Sequence, residues 1–408
     1  MTYEEAVGKL KEFGQEHLLR YYDELGEEEK KDLLSQIEKT DFSMTHFAKD
    51  KSNVETRGVI EPLSAMELSE IEEKKDVFRE AGLAAIREGK VGAVLLAGGM
   101  GTRLGSDAPK CMYDIGETKP VYIMERLIEN TMDVVREAGR PVPFFIMTSE
   151  KNHDITVDFM EKMNYFGYDK DFVFFFEQDM APATDYDGKV YLEEKGRIAT
   201  SPNGNGGWFS SMHKAGLVEK IREMGIEWLN VFAVDNVLQR IADPVFVGAT
   251  ILSGAASGAK CVRKADIHEK VGALCLEDGR PSIVEYYDMT PELLDAKNEK
   301  GEPAYNFGVI LNYLFREKDL EEIMNVDFPL HIVEKKIPHL DEEGNLIKPE
   351  EPNGFKYEQL VLDMIHRLKD CLPFEVERER EFAPIKNKTG VDSVETAKEL
   401  CKRNGIEL

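Results

Sequence analysis

The segment Leu96-Ala97-Gly98-Gly99-Met100-Gly101-Thr102-Arg103-Leu104-Gly105, closed by Pro109-Lys110, directly follows the apolar run Val91-Gly92-Ala93-Val94-Leu95. Such a run ending in a glycine cluster predicts a strand that feeds a tight loop. Four glycines within the eight residues 98 to 105 let the backbone turn sharply and offer N–H groups to anionic oxygens, because no Cβ stands in the way. Arg103 and Lys110 add positive charge where a triphosphate needs it. The loop fits neither common glycine motif. A dinucleotide loop needs glycine at position 104, which is Leu104, and no Gly-Lys-Ser/Thr ending of a Walker A loop follows. Taken alone, the segment also reads as a strand-turn-helix connection whose glycines serve only the turn.

The net charge of −26, from 78 acidic against 52 basic residues, argues against nucleic acid or an anionic membrane as partner. An anionic substrate must then be held by local basic groups, for which Arg103 with Lys110 and Lys386 with Lys388 qualify. The five cysteines, Cys111, Cys261, Cys275, Cys371 and Cys401, form no C-x-x-C pair and predict free thiols in a reducing cytosol. The first residues are acidic, and no run approaches the roughly 20 apolar residues needed to span a bilayer. A cytoplasmic protein is expected.

At 408 residues the chain exceeds one ordinary core, and its patterning suggests three parts. Residues 1–88 show helical spacing in Val7, Leu10, Phe13 and in Leu18, Tyr22, Leu25, predicting a helical N-terminal extension. Residues 89–330 alternate strand-like and helical runs, the pattern of an α/β domain with an open, mostly parallel sheet. Its strand candidates are Val91–Ala97, Pro143–Thr148, Phe172–Glu177, Leu229–Val234 and Val271–Leu276. Residues 331–408 open with strand-like His331-Ile332-Val333 and suggest a small C-terminal domain. In such sheets ligands bind beyond the carboxyl ends of the strands.

Three polar groups fall at those ends or in the loops after them. Gln178 follows the run Phe172–Phe176, where its amide can read a pyrimidine edge, although taken alone it reads more readily as an ordinary loop residue. Ser201-Pro202-Asn203-Gly204-Asn205-Gly206-Gly207 brings backbone close to a flat ligand, or else forms a hairpin loop with an Asn-Gly turn. Asp235-Asn236 follows Leu229–Val234, and a carboxylate there suits Mg²⁺ shared with substrate phosphates, or caps a following helix.

In their order along the chain, LLAGGMGTRLGSDAPKCMYDIG, ATSPNGNGGWF, VDNVLQRIADPVFVGA, EKVGALCLEDGRPSIVEYYDM and REFAPIKN resemble the eukaryotic-type UDP-N-acetylhexosamine pyrophosphorylases of the wider UDP-sugar pyrophosphorylase family. The resemblance runs from about residue 90 to about 390. It implies a Rossmann-like, GT-A-like nucleotidyltransferase domain with a mixed, mostly parallel sheet. It also implies the reaction of UTP with a hexosamine 1-phosphate, N-acetylglucosamine 1-phosphate first, to give the UDP-sugar and pyrophosphate with Mg²⁺ as cofactor. By position, it assigns Leu96, Gly98, Gly99, Gly101, Thr102, Gln178, Gly204 and Asn205 to UTP and its uridine. It assigns Arg103, Lys110 and Lys386 to the reacting phosphates, Asp235 to the metal, and Glu285 and Asn306 to the sugar. No side-chain base is required, since a phosphate monoester is already nucleophilic; the protein must position two anions and neutralise their charge.

The chain departs from the family pattern at several places. Pro109-Lys110 is followed by Cys111 rather than glycine, which introduces a thiol beside the phosphate lysine. The usual Asn-x-Gly-Asn reads Asn306-Phe307-Gly308-Val309, leaving Asn312 as the candidate substitute, and two usual aromatics are Leu360 and Leu362. The changes at Val309, Leu360 and Leu362 fall on the sugar half and keep open the same chemistry with glucose, galactose or N-acetylgalactosamine 1-phosphate. A turnover-deficient UDP-sugar binding protein is the alternative from another class.

Overall fold

The computed structural model describes residues 1–48, 57–324 and 330–408. Its ten-stranded sheet comprises β1 (Ile60–Pro62), β2 (Val91–Leu96), β3 (Phe144–Thr148), β4 (Val173–Glu177), β5 (Trp228–Ala233), β6 (Ser257–Arg263), β7 (Ala273–Glu277), β8 (Arg280–Val284), β9 (Phe307–Arg316) and β10 (Cys371–Glu375). The five strands expected from apolar runs are all present, with ends moved by a residue or two. Every residue of β2 and β3 is buried, as a strand covered on both faces demands.

The sheet is mixed. Its main path is β1-β7-β9-β5-β2-β3-β4, with β6 pairing β9 and β10, and β8 pairing β7. Strands β5, β2, β3 and β4 run parallel to one another. Their carboxyl ends therefore share one edge, which carries the glycine loop, Ser149, Gln178 and Asp235. The helix Ile123–Ala138 joins β2 to β3 and buries Met124, Leu127, Ile128 and Val134. The helix Leu68–Arg87 packs on Pro244–Ser253 with almost no gap: a Cβ on Gly82 would lie 1.9 Å from the Pro244 carbonyl oxygen, and one on Gly248 would lie 1.8 Å from that of Phe78.

The contacts divide the chain differently from the expected 1–88, 89–330 and 331–408. One unit holds Met1–Thr56, Asp179–Gly207 and Phe328–Val361; the other holds Arg57–Gln178, Trp208–Asp327 and Leu362–Leu408. The physical reason is in the partners. The helix Leu68–Arg87 buries Phe78, Leu83 and Ile86 in the core of the large sheet, and β10 hydrogen-bonds in parallel to β6. Periodicity reveals such elements, but not what they pack against.

In the first unit, the helices Tyr3–Phe13 and Glu27–Lys39 bury Ala6, Leu10, Leu33 and Ile37 together with Val190, Leu192 and Ile198. Thr2 and Glu5 form a capping box that satisfies each other's N–H groups at the start of the first helix. Four two-stranded antiparallel sheets complete this unit among the described residues. His331–Lys335, expected as a strand from His331-Ile332-Val333, pairs with Gly354–Glu358. Among the described residues, no helix is long and apolar enough to cross a membrane.

Candidate active site

Beyond Leu96, whose side chain is buried, the chain bends through Gly98, Gly99 and Gly101 into a helical turn at Thr102–Leu104. Two bonds close the loop on itself: Gly101 N–H donates to the Ala108 carbonyl at 2.9 Å, and Lys110 N–H to that of Gly99 at 3.1 Å. Gly101 thus spends its N–H inside the loop, whereas the sequence reading gave that N–H to a ligand. Thr102 and Arg103 project as exposed side chains.

Gly98 makes room for a neighbour that the sequence does not show. A Cβ there would lie 2.1 Å from Nε2 of Gln178, so the Gln178 amide crosses directly over the loop. Gln178 is buried, and its N–H donates to the Thr148 carbonyl at 2.8 Å, which fixes it to the end of β3. Asn152, absent from the sequence-derived set, anchors the same loop from below. Its amide donates to the Ala97 carbonyl at 3.0 Å, and its oxygen accepts the Ser149 N–H at 2.7 Å. An asparagine preceding a helix reads as a cap. Here the helix His153–Lys162 receives no capping bond from it, because the side chain is turned back to the loop.

The charged residues converge from distant parts of the chain. Nζ of Lys110 lies 3.8 Å from Oδ2 of Asp235, both side chains being largely shielded. Burial pulls the Lys110 ammonium below the usual lysine range; the Asp235 carboxylate opposes this, and the positive charges of Arg103 and Lys386 reinforce it. Those four groups therefore share one electrostatic field. Lys386 arrives because Ile385 N–H donates to the Asp235 carbonyl at 2.9 Å and Asn236 pairs antiparallel with Pro384. Its Nζ rests 3.0 Å from Oδ2 of Asp392, a partner that the sequence reading did not find. No group of three or more His, Cys, Asp or Glu residues capable of holding a metal occurs among the described residues. A lone carboxylate such as Asp235 fits Mg²⁺, which keeps most of its shell for water and phosphate oxygens.

Glu285 and Asn306 meet around Lys264. The Lys264 N–H donates to the Asn306 carbonyl at 2.8 Å. Burial lowers the lysine's pKa, against the raising effect of Glu269, Glu285 and Asp266. Asn306, Lys264, Asp266, Met289, Leu293 and Tyr305 border a cavity of about 140 Å³. Val309, half-buried, donates its N–H to the Gly272 carbonyl at 2.9 Å, and a Cβ at Gly272 would lie 3.4 Å from Glu285 Oε1. Asn312 does not replace the missing amide. A bulge in β9, with Leu311 at φ +48°, turns Asn312 into the core, where its amide donates to Gln239 at 3.2 Å and its oxygen accepts from Asn230 at 2.8 Å.

Gly204 and Asn205 belong to the other unit. Of the two readings of this segment, the Asn-Gly hairpin does not form: Asn205–Gly207 is a helical turn. Gly204 has φ +88°, and a Cβ would meet the Gln359 carbonyl oxygen at 2.2 Å; Asn205 Oδ1 accepts the Val361 N–H at 2.9 Å. Cys111 is fully buried, and burial pushes its thiol up to about 12, so the thiol beside Lys110 is inert at neutral pH.

The chain as a whole is similar to known proteins. The chain is 36% identical over 407 residues to the UDP-N-acetylhexosamine pyrophosphorylase-like protein 1 of Mus musculus, covering 94% of this chain and 80% of that protein. It is 35% identical over 420 residues to the UDP-N-acetylglucosamine pyrophosphorylase of Saccharomyces cerevisiae, covering 95% and 87%. The crystal structure of the uridine diphosphate N-acetylglucosamine pyrophosphorylase from Trypanosoma brucei, in complex with inhibitor, superposes with a TM-score of 0.84 at 25% identity, covering 97% of this chain and 84% of that one. A family model described as UTP–glucose-1-phosphate uridylyltransferase matches residues 39–401. The chain belongs to the UTP–glucose-1-phosphate uridylyltransferase family, that of the UDP-sugar pyrophosphorylases.

Proposed function

We propose that the protein is a uridylyltransferase that makes UDP-N-acetylglucosamine and pyrophosphate from UTP and N-acetylglucosamine 1-phosphate. The observation that carries this reading is the gathering of Arg103, Lys110, Asp235 and Lys386 at the carboxyl edge of the parallel strands. In the reaction a phosphate oxygen of the sugar 1-phosphate bonds to the α-phosphorus of UTP while the bond to the β-phosphate oxygen breaks, so negative charge must be held on both sides of one centre. Lys110 and Arg103 face the triphosphate, and Lys386 the incoming phosphate. Asp235 would hold Mg²⁺, which when bound supplies neutralisation of phosphate charge. Gln178, Gly98 and Gly99 take the uridine and its phosphates; Leu96 and Thr102 frame that loop. Glu285 and Asn306 take the sugar. Five buried, unpaired cysteines support a reducing, cytoplasmic location.

One observation favours a second reading of the acceptor. Val309 stands where the family carries an amide, and Asn312 cannot take over, so another hexose 1-phosphate remains a rival for the same chemistry. The test is pyrophosphate release from UTP and Mg²⁺ with a panel of sugar 1-phosphates. Release with N-acetylglucosamine 1-phosphate at least tenfold faster than with glucose 1-phosphate is the expected result. The reverse order would reassign the sugar, and no release with any acceptor would overturn the proposed activity.

A further inference from the structure

Beneath the charged edge lies a polar cluster that touches no expected substrate position. Lys260, in the middle of β6, is completely buried. Its three N–H donors have three partners: Glu381 Oε2 at 2.6 Å, Asp243 Oδ2 at 3.1 Å and the Arg240 carbonyl at 3.2 Å. Glu381 Oε2 also accepts the Arg240 N–H at 3.3 Å. The guanidinium of Arg240 adds positive charge in the field of both carboxylates. Asn236, equally buried, binds the same C-terminal segment through its backbone. Its amide donates to the Glu381 carbonyl at 2.7 Å, and its oxygen accepts the Ala383 N–H at 2.9 Å.

Packing alone does not call for such an arrangement. Burying charge is costly, and a well-packed apolar set of equal volume is often as stable or more so. What the cluster does supply is a fixed register. Asn236 follows Asp235 directly, and the segment it grips leads through Ile385, whose N–H reaches the Asp235 carbonyl at 2.9 Å, to Lys386. Two residues far apart in the sequence are thereby held at a set separation by directional bonds, which tolerate slippage far less than apolar contacts do.

We propose that Lys260 and Asn236 are positioning residues for the reaction: they fix the segment 381–385 against Asp235 so that Lys386 stands at the reacting phosphates. This inference rests on the uridylyltransferase reading. It assigns the two residues no contact with substrate; their effect passes through Lys386.

The experiment is a double-mutant comparison. Asn236→Ala and Lys260→Met are each made in the native chain and in Lys386→Ala, and pyrophosphate release is followed at varied UTP with thermal unfolding in parallel. In the native background kcat should fall at least 30-fold while KM for UTP stays within threefold. In the Lys386→Ala background the same substitutions should lower kcat by less than threefold further. Equal losses in both backgrounds would show a merely structural role and overturn the proposal. Should Lys260→Met fail to fold, Glu381→Gln keeps the shape of the cluster and carries the same expectation at fivefold or more. If the unaltered chain releases no pyrophosphate with any sugar 1-phosphate, it is the uridylyltransferase reading that fails. The positioning is then judged by hydrogen exchange of segment 381–387 in Asn236→Ala, which should be at least tenfold faster than in the native chain with β2 unchanged. Unchanged exchange there would refute it.

Discussion

At Gly98 the Gln178 amide occupies the place a side chain would take, so a Cβ there would displace the glutamine from the loop. The residue types at the site were largely legible in the sequence: a glycine loop, two basic residues after it, a carboxylate at a strand end. Their partners were not. Nothing in Gly98 names Gln178, nothing in Lys386 names Asp392, and Asn152 was hidden because its position before a helix gives a sufficient local explanation. Lys110 offers the sharpest residue-scale test. Its distance of 3.8 Å from Asp235 leaves little direct pairing to lose. Lys110→Ala should therefore leave thermal unfolding nearly unchanged while turnover falls by about 10²–10³-fold, the usual cost of removing one charge-stabilising donor. Initial rates and melting curves on one preparation decide it. A second test concerns the thiols. All five are buried, and desolvation, the largest cause in each, raises them, to about 12 for Cys111, Cys275 and Cys371. A raised thiol stays protonated, and hence unreactive, up to its own pKa. An aromatic disulfide reagent at pH 8 should find no reactive thiol in the native protein and five after denaturation in guanidinium.

At the scale of elements, apolar runs located the parallel strands because strands covered on both faces must be apolar throughout. The same rule passed over β6, whose sequence Ser257-Gly258-Ala259-Lys260-Cys261-Val262-Arg263 has small residues where helices press close and a lysine whose charge is matched inside. It passed over β9 as well, whose run is interrupted by Gly308 and by Asn312, an amide that a bulge turns into the core. A consequence follows for the helix pair Leu68–Arg87 and Pro244–Ser253. Neither Gly82 nor Gly248 has an unusual φ, so the need for glycine is steric alone: a Cβ would overlap a carbonyl oxygen of the opposite helix. Gly248→Ala must force the helices apart, and overpacking of this kind costs about 1–3 kcal/mol. Thermal or denaturant unfolding should show that loss, with the rate per folded molecule preserved because the pair lies away from the charged edge. An alanine variant as stable as the parent would mean that the two backbones do not approach so closely.

For the whole molecule, sequence order was a poor guide to grouping. The expected domain 331–408 is divided between the two units, and its last part belongs to the large sheet's core. Composition shifts mark changes of surface, whereas membership of a core depends on which buried faces meet, and those meetings are long-range. Residues 377–408 illustrate the point: Phe382, Ile385, Val394 and Leu408 are buried in the same cluster as Val91, Leu95 and Phe144. Burying side chains of this size contributes about 1.5–3 kcal/mol each. Four of them amount to much of the ~5–15 kcal/mol by which a domain is stable. Their removal would also leave Lys260 and Asp243 without Glu381. A chain ending at Val376 should therefore fail to give a cooperative thermal transition and should aggregate, rather than persist as a folded protein lacking only Lys386. If it were soluble, melted cooperatively and had merely lost turnover, the C-terminal segment would be an appended module, as the sequence alone suggested, and its burial in the sheet's core would be energetically minor.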